Sequence, residues 1–514
     1  MPVKTFAAID VGSFELSMKI FEFSKKNSMK EIDHIRYRLD LGSDTYAHGK
    51  MGFDKVDQLC RILCEFITIM ESYKVTDYVA YGTSAVRETE NTVIILDQIR
   101  IRTGIKVGVL SNSEQRFLDY KSIASKGEGF TKIIEKGTAI LDIGGGSIQI
   151  SLFDRDSLVT TQNLRLGVLR LRDKLGKLQP KAAHYEYLVE ELVSSQLMIF
   201  KKLYAKDNEI KNIIIVDDYV SMILQKKMAD SPNSGYITTK QYLNFIESIK
   251  QKTPEEISKA LNVPSENASL MLLSAMLIKQ LINIMDIELL WAPGVTLCDG
   301  IAYEYGEKNK FITQKHNFEQ DIIACAVNIS KRYMGSKSRG EMLSKISLNI
   351  FDSMKKLHGL SKRERLLLHI VSLLHDCGKY ISLANVAECS YNIIMSTEII
   401  GLSHQEREIV ANVVKYNHLD FEYFEEMDSQ STIDKQAYLT IAKLTAIIRI
   451  ANGLDRSHKQ KFDNMQVFLK DRELVIAISN DEDITLEKEL FVTKADFFEE
   501  VFSIRPVIKQ KKKI

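Results

Sequence analysis

The chain has 514 residues, 45% of them apolar and 27% charged, a globular composition too long for one hydrophobic core, so roughly two to four domains are expected. A formal net charge of +1 excludes a global pull toward nucleic acid or an anionic membrane, so a polyanion would need a local patch. Cys60, Cys64, Cys298, Cys325, Cys377 and Cys389 form no CxxC pair and fit reduced thiols; with no leader-like N-terminus and no apolar run near transmembrane length, the expectation is a cytoplasmic protein.

The apolar run Phe6-Ala7-Ala8-Ile9 leads into Asp10-Val11-Gly12-Ser13, after which Leu16, Met18 and Ile20 alternate with Glu15, Ser17 and Lys19. This pattern predicts strand, tight turn, strand. A helix is expected near residues 56–73, then a strand at Tyr78-Val79-Ala80-Tyr81 running into Gly82-Thr83-Ser84-Ala85-Val86-Arg87. The opening pattern returns at Thr138-Ala139-Ile140-Leu141, with Asp142-Ile143-Gly144-Gly145-Gly146-Ser147 and then Ile148, Ile150 and Leu152. This second α/β unit continues through Asn212-Ile213-Ile214-Ile215-Val216, includes an apolar helix over 270–285 and ends near Tyr305.

From about residue 312 helical spacing takes over, as in Ile346, Ile350, Met354 and Leu357, and continues to about Asp455. The tail is predicted to hold short strands at 465–469 and 474–478 and a helix over 494–502. It closes on the basic residues 509–513, read as a solvated end or an anion contact. The expected organisation is therefore α/β over 1–130 and 131–308, all-α over 312–460, and a small α+β part over 463–514.

Glycines in a strand–turn–strand unit let backbone N–H groups approach an anion closely, and a small hydroxyl adds a donor. An aspartate heading the turn can hold a divalent cation or a water that the cation orients. One such turn is an ordinary β-turn more often than a site. Two of them, about 130 residues apart, suggest a duplicated fold closing on a phosphate-rich ligand.

The first turn, Gly82-Thr83-Ser84-Ala85-Val86-Arg87-Glu88, the Asp142–Ser147 loop and Leu166-Gly167-Val168-Leu169-Arg170-Leu171 together resemble the exopolyphosphatase/guanosine pentaphosphate phosphohydrolase (Ppx/GppA) family of the actin-like superfamily. The resemblance extends to Leu374-His375-Asp376-Cys377-Gly378-Lys379 and Arg449-Ile450-Ala451-Asn452-Gly453-Leu454-Asp455-Arg456-Ser457, and so covers nearly the whole chain. It implies two actin-like lobes, an all-α HD-like domain and a small α+β domain. It also implies Mg²⁺-dependent release of terminal phosphate from inorganic polyphosphate or guanosine pentaphosphate, and a homodimer. On this resemblance Asp10 and Asp142 would hold the cation. Gly12, Ser13, Gly144, Gly145, Gly146 and Ser147 would cradle phosphate oxygens, and Arg87 would face the same anion.

The chain departs from the family pattern around the chemistry. In Ser111-Asn112-Ser113-Glu114-Gln115-Arg116-Phe117, gapless alignment puts Gln115, not Glu114, where the family carries its catalytic glutamate. A neutral amide cannot accept a proton as a carboxylate does. A second family glutamate is replaced by Gln149, Phe14 and Glu15 stand where small polar residues follow the first Gly-Ser, and Asp217-Asp218-Tyr219-Val220 replaces a glycine-bearing phosphate turn.

Three readings stay open. In the first, Glu114 serves as base through a one-residue shift, with Glu15, Asp217 or Asp218 restoring charge for the cation. In the second, the domain binds polyphosphate or guanosine polyphosphates as a regulator with little turnover. In the third, it is a related hydrolase with another substrate, such as a guanosine polyphosphate or another nucleoside polyphosphate. The HD resemblance is also incomplete: His375-Asp376 is present, but Arg339 lies near the upstream histidine position and Asn452 at the downstream acid, with Asp455 three residues on. His404 and His418 are further candidates, and Lys331, Arg332, Lys337 and Arg339 form a basic run suited to a polyanion channel or a solvated helix face.

Overall fold

The computed structural model describes residues 4–24, 28–155, 157–177, 185–206, 209–216, 220, 224, 235–250, 252–261, 265–314, 316–426 and 433–511. The chain divides into two compact units, Met1–Asn317 and Phe318–Ile514.

The first unit holds two sheets. In one, β1 (Lys4–Val11), β2 (Glu15–Ser24), β3 (Ser28–Arg38), β4 (Asp77–Gly82) and β5 (Val107–Val109) lie in the order β3-β2-β1-β4-β5. In the other, β6 (Thr138–Ile143), β7 (Ile148–Asp154), β8 (Ser157–Leu164), β9 (Asn212–Val216), β10 (Tyr236–Thr238) and β11 (Leu289–Trp291) lie in the order β10-β11-β9-β6-β7-β8. Each sheet is an antiparallel meander, β1-β2-β3 or β6-β7-β8, whose first strand also pairs in parallel with a later one, β4 or β9. The fold is duplicated, as the two turns suggested. The central strands β1 and β6 are apolar because both faces are covered.

The expected helices form over Phe53–Ser72 and Ser265–Met285. Alternation alone does not describe β2, where Lys19 lies between Met18 and Ile20 yet is only 3% exposed. The helix Leu297–Lys308 covers that face, and Lys19 Nζ pairs with Asp299 at 2.8 Å and Glu31 at 2.9 Å. A buried ammonium persists only with such partners.

The second unit is helical from Phe318–Arg332 to Lys435–Leu454. By length and composition Lys435–Leu454 could cross a membrane, contrary to the expectation of no such run, but 78% of that stretch is buried inside the protein, as in a core helix. A small sheet follows, with β12 (Gln466–Lys470), β13 (Glu473–Ser479) and β14 (Arg505–Lys511) in the order β12-β13-β14. The expected frayed end is thus a strand as far as Lys511: β14 pairs in parallel with β13, and Lys509 Nζ meets Glu473 at 3.3 Å. Lys512 and Lys513 lie outside the described residues. The helix before β14, Thr485–Phe502, is longer than the predicted 494–502.

Candidate active site

The two glycine turns are built alike. Asp10 and Asp142 are the penultimate residues of β1 and β6, opposite Ser17 and Gln149 on the returning strands. Gly12 N–H donates to the Glu15 carbonyl at 3.1 Å, and Gly144 N–H to the Ser147 carbonyl at 2.9 Å. Carbonyls in both turns are occupied from outside. Ser13 O accepts from Gly42 N–H (2.7 Å) and Phe14 O from Leu39 N–H (3.1 Å), while Gly144 O and Gly145 O accept from Val168 (3.1 Å) and Leu169 (3.0 Å). These bonds fix both turns from the chain around them.

Glycine is needed here for close approach. A Cβ on Gly145 would lie 2.7 Å from Leu169 Cδ1 and 3.2 Å from Ser13 Cβ, and one on Gly167 would strike the backbone of Gly145, Gly146 and Ser147. Ser13 Oγ lies 2.9 Å from both Tyr46 Oη and Ser84 Oγ and accepts from Ala85 N–H at 3.2 Å. Burial raises the Tyr46 phenol above its ordinary pKa, which keeps it a neutral donor in this cluster.

A cavity of about 100 Å³ lies between the turns, lined by residues of both sheets that include Asp10, Gly12, Ser13, Asp142, Gly144 and Gly145. Drug-sized ligand pockets run to roughly 300–1,000 Å³, so this space suits a phosphoryl group. Thr83, Ser84, Ser17, Glu15, Arg36 and Gln115 also line it. Asp10 and Asp142 are 9% and 5% exposed.

Other expected site residues stand elsewhere. Glu114, the expected base, does not line the cavity. Its carboxylate accepts from Ser111 N–H at 3.0 Å while Ser111 Oγ accepts from Glu114 N–H at 3.2 Å, a capping box that starts the helix Asn112–Ala124. The next residue reaches the site: Gln115 Nε2 donates to Asp142 Oδ2 at 3.0 Å. Arg87 donates to the Leu110 carbonyl at 2.6 Å, which ties the Ser84–Glu88 helix to the start of the Gln115 helix. The Gly146 carbonyl accepts from Arg170 Nε at 2.7 Å, and neither Gly146 nor the buried Ser147 lines the cavity. Arg170 also pairs with Glu88 and covers the Tyr46 ring at 4.3 Å. Asp217 and Asp218 lie outside the described residues.

The donor set fits a hard divalent cation. Asp10, Asp142 and Gln115 line one cavity, and among the described residues the buried amide oxygen of Gln115 has no hydrogen-bond partner. Mg²⁺ is commonly held by one or two carboxylates together with waters and substrate phosphates.

The helical unit does not fit such a cation at the HD-like positions. Arg339, 6% exposed, donates from Nε to His375 Nε2 at 2.9 Å, from Nη1 to the Asp455 carbonyl at 3.1 Å and from Nη2 to Asn452 Oδ1 at 2.7 Å. A guanidinium thus fills the space among His375, Asn452 and Asp455. His375 Nδ1 donates to the Ser372 carbonyl at 2.9 Å, which leaves Nε2 unprotonated to accept from Arg339. Burial, reinforced by Arg339, lowers the His375 pKa to about 4. His418 Nε2 donates to the His375 carbonyl at 2.9 Å, and His404 accepts from Arg407 at 3.2 Å. Among the described residues no cluster of three or more His, Cys, Asp or Glu side chains is arranged to hold a metal. Arg339 therefore belongs to the core and not to the expected basic face.

The pattern of the Ppx/GppA phosphatase family matches residues 20–309, and that of its domain III matches residues 324–497. Exopolyphosphatase 1 of Mycobacterium tuberculosis (strain ATCC 25618 / H37Rv) is 27% identical over 164 residues, 32% of this chain and 46% of the relative. A guanosine-5'-triphosphate,3'-diphosphate pyrophosphatase of Vibrio atlanticus is 18% identical over 457 residues, 86% of each. The match to a bifunctional 3-dehydroquinate synthase/phosphatase of Fusobacterium nucleatum spans 33% of this chain and 26% of that protein at 23% identity. The chain thus spans less than half the length of the first and third of these relatives. An exopolyphosphatase from Cytophaga hutchinsonii shares the fold, with a TM-score of 0.53 at 16% identity over 60% of this chain and 100% of that one. The paired α/β sheets are of the actin-like kind, and with family patterns covering both units, the chain belongs to the Ppx/GppA phosphatase family.

Proposed function

We propose that the cleft binds the end of a phosphoanhydride, inorganic polyphosphate first of all, and releases its terminal phosphate as an exopolyphosphatase-type hydrolase. The observation that carries this reading is the Gln115–Asp142 contact between the two glycine turns. Phosphoryl transfer passes through a loose transition state that needs alignment and charge neutralisation more than covalent help. A glutamine aligns the attacking water in some GTPases, so an amide at this place is compatible with hydrolysis.

Asp10 and Asp142 would hold a divalent cation, which supplies neutralisation of the phosphate charge. The Gly12 and Gly144 N–H groups are engaged by the Glu15 and Ser147 carbonyls, so the turn amides at Ser13 and Gly145 would bind phosphoryl oxygens and hold them in line with the Gln115 side chain. Gln115 Nε2 is fixed on Asp142, so its Oε1 is the atom that orients water; it receives no proton. General-base catalysis contributes roughly 10²–10⁴-fold, so turnover is expected to be slow.

A second reading is favoured by the same residues. With Gln115 and Gln149 both neutral beside Asp142, the cleft would retain its ligand and act as a regulator responding to polyphosphate or guanosine polyphosphate. Mg²⁺-dependent phosphate release from long-chain polyphosphate, lost in Asp142→Asn, supports the hydrolase. Tight binding of polyphosphate with negligible release supports the regulator, and competition by guanosine pentaphosphate ranks the two substrates. The proposal extends to the four-part domain organisation, a homodimer and the cytoplasm, which light scattering and fractionation test.

A further inference from the structure

The residues that replace the small polar pair after Gly12-Ser13 are each matched by an arginine of β3. Arg38 lies over the Phe14 ring at 4.6 Å, and Arg36 Nε meets Glu15 Oε1 at 2.6 Å. Of these two arginines, Arg36 lines the cavity, and among the described lining residues it is the only cationic side chain, against the carboxylates of Asp10, Glu15 and Asp142.

Strand register places Arg36 in line with the cation-holding aspartate. Asp10 of β1 pairs with Ser17 of β2, and Ser17 pairs with Arg36 of β3. Directly opposed residues share a face, so these three form one row across the sheet, and all three line the cavity. The duplicated half carries the row Asp142–Gln149–Asn163 at the equivalent place, with no cation in it. The site is therefore asymmetric: only the first row ends in a positive charge. In the second turn the counterpart of Glu15 is Ser147, so the carboxylate beside that charge is likewise particular to the first half.

We propose that Arg36 receives a second phosphate of a condensed phosphate chain whose terminal group sits between the glycine turns, and that Glu15 is its resident counter-ion, displaced when that chain enters. A guanidinium binds phosphate oxygens through a planar fork and exchanges a carboxylate for them without changing its own charge. An isolated orthophosphate can occupy the turns but cannot also reach the far end of the row. The pair thus selects condensed phosphates over orthophosphate, and does so against the barrier that Glu15 sets. This rests on the phosphate-binding reading of the cleft and deepens it.

The test is titration calorimetry of the full-length chain with tripolyphosphate and, separately, orthophosphate, each with Mg²⁺, after thermal melts confirm that the variants fold. Arg36→Gln is expected to weaken tripolyphosphate binding about ten-fold or more while changing orthophosphate less than about three-fold. Arg36→Lys falls between, and Glu15→Gln tightens tripolyphosphate by about three-fold or more, a gain absent when Arg36→Gln is also present. Asp142→Asn serves as the reference for the cleft itself. Binding that is sensitive to Asp142→Asn but indifferent to Arg36→Gln and Glu15→Gln overturns the Arg36 assignment and leaves the cleft reading standing. No tripolyphosphate binding by the unsubstituted chain overturns both.

Discussion

Gln115 reaches across the cleft and donates its amide hydrogen to Asp142 at 3.0 Å, while its neighbour Glu114 is turned back onto the start of the same helix. A carboxylate only accepts hydrogen bonds, so the nitrogen of Gln115 must face Asp142 and its oxygen must face away. One residue of helical rotation separates a site side chain from a capping side chain. On the reading proposed above, the acid that chemistry alone would favour as base serves the helix cap, and a neutral amide stands in its place.

Glu114 should therefore matter to stability and not to turnover. Glutamine can replace glutamate in a capping box, so Glu114→Gln should leave both melting temperature and phosphate release unchanged. Glu114→Ala removes the reciprocal bonds of the cap and should cost about 1 kcal/mol in denaturant unfolding. Loss of turnover in Glu114→Gln with an unchanged melt would return the base to Glu114.

The glycines divide into those packed against backbone and those with room. A Cβ on Gly167 meets main-chain atoms of the second turn, whereas one on Gly144 meets only the Ser147 carbonyl at 3.5 Å. Gly167→Ala should cost roughly 1–3 kcal/mol and weaken polyphosphate binding by shifting the turn. Gly144→Ala should be milder on both counts, and equal effects would contradict the packing described.

The helical unit should be indifferent to chelators and sensitive to loss of Arg339. Removing a buried guanidinium that bonds His375, Asn452 and Asp455 should cost about 3 kcal/mol, read from chemical denaturation of Arg339→Met. His375 should titrate near 4 in histidine C2-hydrogen exchange, below the ~6.5 of a free imidazole. Its folded pKa is depressed, so the unfolded chain takes up the proton first as pH falls below ~6.5. Its contribution to stability is full above that value, declines toward about 4 and levels off below. A normal His375 titration in the intact protein would mean that the imidazole is not buried beside the guanidinium as described.

Much of the fold was legible because it is written in local pattern: two apolar runs, each ending in Asp-x-Gly, imply two equivalent strand–turn–strand units wherever they sit. The capping box was legible too, since Ser111 and Glu114 have its spacing. Reading Glu114 as a base set its chemistry above that spacing. Lys19 was hidden because alternation reports one covered face, and the second cover, Leu297–Lys308, comes almost three hundred residues later. Arg36 was hidden for a similar reason: its place in the site depends on β2–β3 register, which side-chain period does not reveal. Arg339 stood near the right position in sequence, but only packing shows that a cation on a long stem is drawn into the core by three acceptors.

The most direct measurement is the initial rate of phosphate release from long-chain polyphosphate with Mg²⁺, taken side by side for the unsubstituted chain, Gln115→Glu and Glu114→Gln. A carboxylate placed beside Asp142 restores a proton acceptor at the water position, so Gln115→Glu should raise the rate at least ten-fold, with Glu114→Gln unchanged. A rate that does not rise in Gln115→Glu and collapses in Glu114→Gln would contradict the account and move the chemistry off Gln115.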